Sequence, residues 1–389
     1  VTEVANVSLG ELMAAKTRSV DPSKYQHECF DLYSIPAFDR GAPEVAAGSV
    51  IGSAKQVVEP QDVLLSKIVP HIRRAWVVGE DRGRRLIASG EWIVFRSQRA
   101  EPAYLRQVLR SDQFHAQFMQ TVAGVGGSLL RARPAQVARI SIPLPPLPEQ
   151  RRIAAILDQA DALRAKRREA LAQLDSLTQS IFIEMFGDPA TNPREWQIGC
   201  IGDLLESASY GTSEKSASVG EFPVLRMNNL TRSGELDLRD LKYMELSEAL
   251  RSKYLVRAGD VLFNRTNSAD LVGKTAMVPQ GAPPLAYAGY LIRLRVNAVN
   301  EPTYLVRFLN TSYAKRTLRG MCKSIIGMAN INATEIQAMK IAIPPLALQQ
   351  TFAARIQAVE ALKVTHRAAL AELDALFSAL QHRAFSAGL

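Results

Sequence analysis

Pro145-Pro146-Leu147-Pro148-Glu149-Gln150-Arg151-Arg152-Ile153-Ala154 opens a stretch that contains no further Gly or Pro until Gly187. Ala, Leu, Arg and Gln dominate it, all good helix formers, and Pro148 stands where a helix start tolerates a proline. Apolar residues at 153, 156, 160, 163, 170, 174, 177 and 181 keep a three-and-four spacing, which reads as a heptad seam over about four repeats. Gly187-Asp188-Pro189 supplies a left-handed cap residue and a helix-stopping proline.

The same stretch occurs twice. Pro344-Pro345-Leu346-Ala347-Leu348-Gln349 answers the first elbow at a spacing of about 199 residues, half the chain. Without a gap, roughly 16 of the 44 positions from 143 to 186 are identical to their partners. Upstream the repeat is fainter. Asp62-Val63-Leu64 answers Asp260-Val261-Leu262, and Glu101-Pro102-Ala103-Tyr104-Leu105 answers Glu301-Pro302-Thr303-Tyr304-Leu305. So long a period excludes a solenoid of short repeats. The second helix carries its seam through Phe352, Ile356, Val359, Leu362, Leu373, Leu376 and Leu380.

Two heptad helices in one chain favour packing on each other. The expected fold is α+β: two globular domains, 1–148 and 188–345, and two long helices, 149–187 and 346–389, paired as an antiparallel intramolecular coiled coil with pseudo-twofold symmetry. Each helix of about 36 residues would span about 54 Å and hold the globules at a fixed separation. Arg167 and His366 are the polar seam positions near the two helix centres. Either they lie at the seam's edge and snorkel to water, or they form a polar layer that fixes register. Strand-like runs at 62–69 and 259–265 and helical pieces at 102–120 and 302–319 fill the globules.

Composition narrows function. Hydrophobic residues at 47% and charged residues at 22% are ordinary globular values. Cys29, Cys200 and Cys322 are too far apart for a CxxC metal or redox site. The five histidines (27, 71, 115, 366, 382) lack ligand spacing. No apolar run approaches a membrane span, and VTEVANVSLGEL lacks the layout of a secretory signal; a soluble, cytoplasmic protein is expected. No G-x-x-x-x-G-K-[ST] loop occurs, and Gly124-Val125-Gly126-Gly127 reads as a flexible loop rather than a nucleotide cradle. No amino-methyltransferase tetrapeptide is present, and no nuclease-like carboxylate-lysine cluster follows Asp62 or Asp260. Any chemistry would belong to another chain.

The unusual quantity is charge, 47 Lys+Arg against 38 Asp+Glu, net +9. Residues 1–148 and 187–345 each carry net +4, whereas 149–186 is neutral. Two similarly basic globules suit a bipartite reader of duplex DNA. Aromatic content of 7% argues against single-strand stacking. Loop residues of the types that read base edges are Ser53, Lys55, Lys67, Arg73, Arg74, Arg82, Arg84 and Arg85 in the first globule. In the second they are Thr212, Ser213, Lys215, Arg226, Asn228, Asn229, Arg232, Asn264, Arg265 and Asn267.

The elbow and helix, ending Ile181-Phe182-Ile183-Glu184-Met185-Phe186-Gly187-Asp188-Pro189, resemble the conserved region of type I restriction-modification specificity subunits. Leu32-Tyr33-Ser34-Ile35-Pro36-Ala37-Phe38-Asp39, Tyr210-Gly211-Thr212-Ser213 and Leu225-Arg226-Met227-Asn228-Asn229-Leu230 resemble phrases of that family's target-recognition domains. The resemblance covers essentially the whole chain. The second elbow departs from the pattern, with Ala347-Leu348 in place of Pro-Glu. The resemblance implies a non-catalytic subunit whose recognition domains each read half of an interrupted double-stranded DNA site while the helices set the spacer. It implies two methylation (M) subunits carrying S-adenosylmethionine, and translocating, cleaving (R) subunits using ATP and magnesium. None of these cofactors would be bound by this chain. A free-standing bipartite regulator and a non-DNA scaffold are the rival readings.

Overall fold

The computed structural model describes residues 5–124, 130–268, 270–325 and 328–386. Val125, Gly126 and Gly127 of the glycine cluster lie outside the described residues. The chain divides into two compact units, Val1–Arg167 with Ala369–Leu389, and Arg168–Ala368. Two long helices, Leu147–Phe186 and Leu346–Ser386, are shared between them. Each unit thus consists of one globule and one half of each helix.

Unit 1 is mixed α and β. A five-stranded sheet runs in the order Ser19–Val20, Lys55–Val57, Arg85–Ala88, Cys29–Tyr33, Glu44–Ala47, and its Cys29–Tyr33/Arg85–Ala88 pair is parallel. A three-stranded sheet orders Ala75–Val77, Val63–Ser66, Trp92–Phe95, and Asn6–Ser8 pairs with Ser141–Pro143. Unit 2 repeats the last two motifs. Its four-stranded sheet orders Leu205–Tyr210, Leu291–Val296, Val261–Asn264, Thr275–Met277, and Ile198–Cys200 pairs with Lys340–Ala342.

The expected helical piece at 102–120 is two helices, Pro102–Arg110 and Asp112–Met119; its counterpart is Pro302–Leu309 and Ser312–Met321. The break has the same cause in both. Ser111 and Thr311 are extended, and their hydroxyls accept from the amides of Phe114 and Ala314, 3.3 and 3.1 Å away. An N-cap of this kind starts a new helix.

The sequence phrases that repeat are the ones that anchor each globule. Asp62 and Asp260 are each 1% exposed. The Arg96 guanidinium donates to both Asp62 oxygens at 2.7 Å, and Arg295 grips Asp260 at 2.7 and 2.8 Å. The backbone amides of Glu59 and Arg257 complete the two sites. Tyr104 donates to the Pro143 carbonyl and Tyr304 to that of Ala342, at 2.8 and 2.7 Å. Their rings meet Phe385 and Phe186, which are repeat partners, at 5.8 and 4.8 Å between centroids.

The elbow glutamine is the hinge pin. Gln150, buried, accepts from the Glu101 amide (2.7 Å) and donates to the carbonyls of Pro145 (2.8 Å) and Arg99 (3.0 Å). Gln349, also buried, accepts from the Glu301 amide (2.9 Å) and donates to Pro344 (2.7 Å) and to the Asn300 side chain (3.0 Å). The departure at Ala347-Leu348 leaves this clamp intact. What it removes is the exposed Glu149–Arg152 pair of the first copy. At the far end Gly187 adopts φ 84°, and a Cβ there would stand 2.6 Å from Pro193 Cγ.

In unit 1 the first half of the first long helix lies against the last half of the second. In unit 2 the halves exchange roles, so the helices run antiparallel. The seam keeps most of the expected positions, including 153, 160, 174 and 181 and 352, 356, 359, 373 and 380, and departs at five. Residues 157, 160, 164, 167, 171, 174, 178 and 181, and 356, 359, 363, 366, 370, 373, 377 and 380, are the buried or half-buried stripe. Leu163, Leu177, Leu362 and Leu376 point outward at 46, 43, 52 and 51% exposure, and Ile156 is exposed with them. Cations hold the inward positions beside two of these leucines. Arg164 donates to Asp374 at 2.6 Å and stacks over Phe377 at 4.2 Å. Its repeat partner Lys363, 1% exposed, contacts Asp175 (2.7 Å) and Glu360 (3.0 Å). These ion pairs form two polar layers in the seam. Arg167 and His366 lie half-buried on the same stripe.

Candidate nucleic-acid interface

In unit 1 most of the candidate arginines are engaged within the globule. Arg74, buried, forms a two-pronged pair with Asp39 at 2.8 and 2.9 Å, which holds that carboxyl below its ordinary range. Arg84 reaches buried Asp31 (2.7 Å). Arg85 grips Glu28 (2.5 Å), lowering its pKa, and lies over the Tyr25 ring at 4.1 Å. Arg73 binds Asp112 (2.6 Å) and the Arg110 carbonyl. Lys55 folds back on Ser53, bonding its carbonyl and hydroxyl. Burial depresses the Lys55 pKa. Arg82, exposed, and Lys67, half-exposed, make no ion pair or side-chain hydrogen bond among the described residues.

Unit 2 gathers its candidates into two groups. Around the Leu205–Tyr210 strand end, the Arg265 guanidinium stacks on the Tyr210 ring at 4.9 Å. Its Nε is buried without a partner among the described residues. The Tyr210 hydroxyl accepts from the Ala333 amide (2.8 Å), and the buried Thr212 hydroxyl accepts from the Glu214 amide (3.1 Å). Asn267 lies on the neighbouring strand Thr266–Asn267, its side-chain oxygen accepting from the Ser268 amide. Tyr210 and Tyr290 are exposed here, at 42 and 52%. Ser213 and Lys215 follow on an exposed loop.

The second group centres on the turn Met227–Asn229. Asn229 is buried and donates to the carbonyls of Asp237 and Asp240, and Arg226 pairs with Asp240 (2.9 Å), so both close the loop on itself. Asn264 is likewise buried, donating to Leu271. Asn228 and Arg232 are exposed. Lys274, not singled out from the sequence, reaches the Met227 carbonyl (2.6 Å). With Arg232, Lys315 and Arg319 it lines a cavity of about 210 Å³. Lys315 and Arg319 stand four apart on one helix, a same-face spacing that periodicity could have found.

Among the described residues no helix is long and apolar enough to cross a membrane. No group of three or more His, Cys, Asp or Glu residues there could hold a metal ion.

The duplicated globule-and-helix plan is shared with a known family. The type I restriction modification DNA specificity domain matches residues 87–173 and 193–374. The chain belongs to this family. It is 26% identical over 247 residues to the type I restriction enzyme EcoKI specificity subunit of Escherichia coli (strain K12), covering 60% of this chain and 53% of that protein. It is 23% identical over 270 residues to the StySPI specificity subunit of Salmonella potsdam, covering 66% and 58%. The chain thus spans little more than half the length of these relatives. Among solved structures, a chain from work on complex assembly and conformational transition of the type I R-M system is 25% identical, with a TM-score of 0.57, covering 99% of this chain and 98% of that one. The type I S subunit of M. genitalium shares the fold at 10% identity, with a TM-score of 0.60, covering 98% and 96%.

Proposed function

We propose that this chain is the sequence-reading subunit of a type I restriction-modification assembly. Each unit reads one half of an interrupted, asymmetric site in double-stranded DNA, and the paired helices set the spacing. The observation that carries this reading is the reuse of the same anchors in both units: Gln150 and Gln349, Tyr104 and Tyr304, Asp62 and Asp260. Around that common frame the loop residues differ, as two readers of different half-sites require. The net charge of +9 supports a polyanionic partner.

The outward leucines support two equivalent docking places. Leu163 and Leu376 belong to unit 1, and their repeat partners Leu362 and Leu177 belong to unit 2. Two copies of a methylation subunit would each cover one such pair. S-adenosylmethionine and the methyl transfer to adenine, with the base flipped from the duplex, belong to those copies. ATP and magnesium belong to the translocating and cleaving subunits, and this chain supplies no catalytic group.

The test is co-expression with a methylation subunit from the same host, followed by single-molecule sequencing of modified adenines in a naive genome. One interrupted motif, methylated on both strands, is the expected result. A stable complex that methylates nothing would contradict the reading. A chain that binds a specific duplex tightly without forming any complex would indicate a free-standing regulator.

A further inference from the structure

Arg232, Lys274, Lys315 and Arg319 surround the 210 Å³ cavity of unit 2, and among the described residues Asp270 is the one carboxylate lining it. Asp270 is spent on Arg319, 3.2 Å away at the exposed rim. The two lysines have no carboxylate partner among the described residues. The Lys274 ammonium donates to the Met227 carbonyl and the Lys315 ammonium to that of Gly273, each at 2.6 Å. Burial, reinforced by Lys274, pushes the Lys315 pKa down to about 7, and burial with Arg232 lowers that of Lys274. Asn310 also lines the cavity. Its amide nitrogen is fixed by the Thr275 carbonyl (2.9 Å), while its buried Oδ1 has no partner among the described residues.

Unit 1 shows what an internally neutralised version looks like. The caps Ser111 and Thr311 align Asp112 with Ser312 and His115 with Lys315. In unit 1 Asp112 neutralises Arg73 at 2.6 Å. Ser312 does not line the cavity, but Lys315 does, and Arg74, which strand register matches to Lys274, is neutralised in unit 1 by Asp39 at 2.8 Å. A concentration of like charge with its counter-charge removed is what an anion site requires.

We propose that this cavity binds a phosphate group, with Lys274 and Lys315 at its base and Arg232 and Arg319 at its mouth. The DNA reading bears only on where the phosphate comes from: the backbone of the bound duplex, or a free phosphate. A tetrahedral oxyanion would take charge-assisted hydrogen bonds from the ammonium and guanidinium groups. A water between it and Asn310 would satisfy the orphaned Oδ1.

The experiment uses the full chain and its R232Q and K315M variants. Inorganic phosphate is titrated calorimetrically at pH 6.5, and a mixed-sequence 30-bp duplex is titrated by anisotropy over a series of salt concentrations. R232Q, on an exposed loop, keeps the test valid if K315M does not fold. Phosphate binding should weaken about tenfold or more in either variant, the loss of one close charge pair. If the duplex salt slope also falls by about one and phosphate competes with the duplex, the ligand is a backbone phosphate. If duplex binding is unaltered while phosphate binding is lost, the cavity takes a free phosphate. If the wild-type chain binds phosphate but no duplex, the cavity stands and the DNA reading falls. Phosphate binding and duplex salt slope both unchanged in the variants would overturn the proposal.

Discussion

Gln150→Leu removes the clamp that fixes the first long helix to its globule. Leucine nearly matches glutamine in volume, so the substitution leaves packing in place and deletes three hydrogen bonds: from the Glu101 amide, and to the Pro145 and Arg99 carbonyls. Pro145 is buried and Glu101 half-buried, so those two backbone groups cannot simply return to water. At about 0.5–1.5 kcal/mol per bond, and more where a buried partner is stranded, the loss comes to about 2–4 kcal/mol. With a urea dependence of about 2–3 kcal/mol/M, the unfolding midpoint should fall by about 1 M. Gln349→Leu should cost as much, because it also breaks three bonds, one of them to a side chain. Gln173→Leu is the control: exposed, it makes one 3.4 Å bond to Glu169 within its own helix. Urea unfolding followed by circular dichroism checks all three. If Gln150→Leu and Gln349→Leu shift the midpoint no more than Gln173→Leu, the elbow glutamines do not anchor the helices.

Lys363 should show an asymmetry. Lys363→Met leaves Asp175 half in water and Glu360 still held by Arg307 at 2.9 Å, so it should cost about 1 kcal/mol or less by urea unfolding; Asp175→Asn with Glu360→Gln strands a buried ammonium and should cost about 3–5 kcal/mol. Equal costs would mean that the cation is not buried as described. Lys315 is held near 7 in the fold, facing Lys274, Arg232, Arg319 and Asp270, and returns to about 10.4 when unfolded. Between those values the unfolded chain binds the extra proton. Stability relative to Lys315→Met should therefore rise with pH from about 7 to 10 and be flat below 7; a constant difference at pH 6, 8 and 9.5 would refute this. Inserting four residues, about one helical turn, into both long helices should lengthen the gap in the methylated motif without changing its half-sites. A changed half-site with an unchanged gap would show that the helices are not the ruler.

The duplication was legible because its identities are anchors. Gln150, Tyr104, Asp62 and Phe385 each have one geometry to satisfy, and their partners 349, 304, 260 and 186 satisfy it again. The seam register was legible only in part. Leucine is the natural seam residue, and a reading by hydrophobicity places Leu163 and Leu362 inward. The inward positions belong instead to Arg164 and Lys363, whose counter-charges Asp374 and Asp175 lie on the other helix. A cation becomes a core residue only when its acid is near, and nothing in a local window announces an acid about 200 residues away. The leucines displaced to the outer face are left exposed.

The same physics sorts the basic residues. Arg74, Arg84 and Arg85 occupy loops and strand ends rich in positive charge, yet each closes on an acid 35 to 57 positions away. Such arginines shape the globule and contribute little to its external field, since each charge is met at contact distance. The cations that matter for a polyanion are those left over. Arg82 and Lys67 in unit 1, and Lys215 and Arg232 in unit 2, have no ion pair among the described residues, while Lys274 and Lys315 hold only carbonyls. The two globules carry the same net charge by sequence, +4 each, but they do not deploy it alike. Unit 1 sets Asp39 against Arg74, whereas in unit 2, among the described residues, four cations line one cavity with Asp270 at its rim. Equal net charge therefore conceals unequal electrostatics, and the sharper phosphate grip should belong to unit 2.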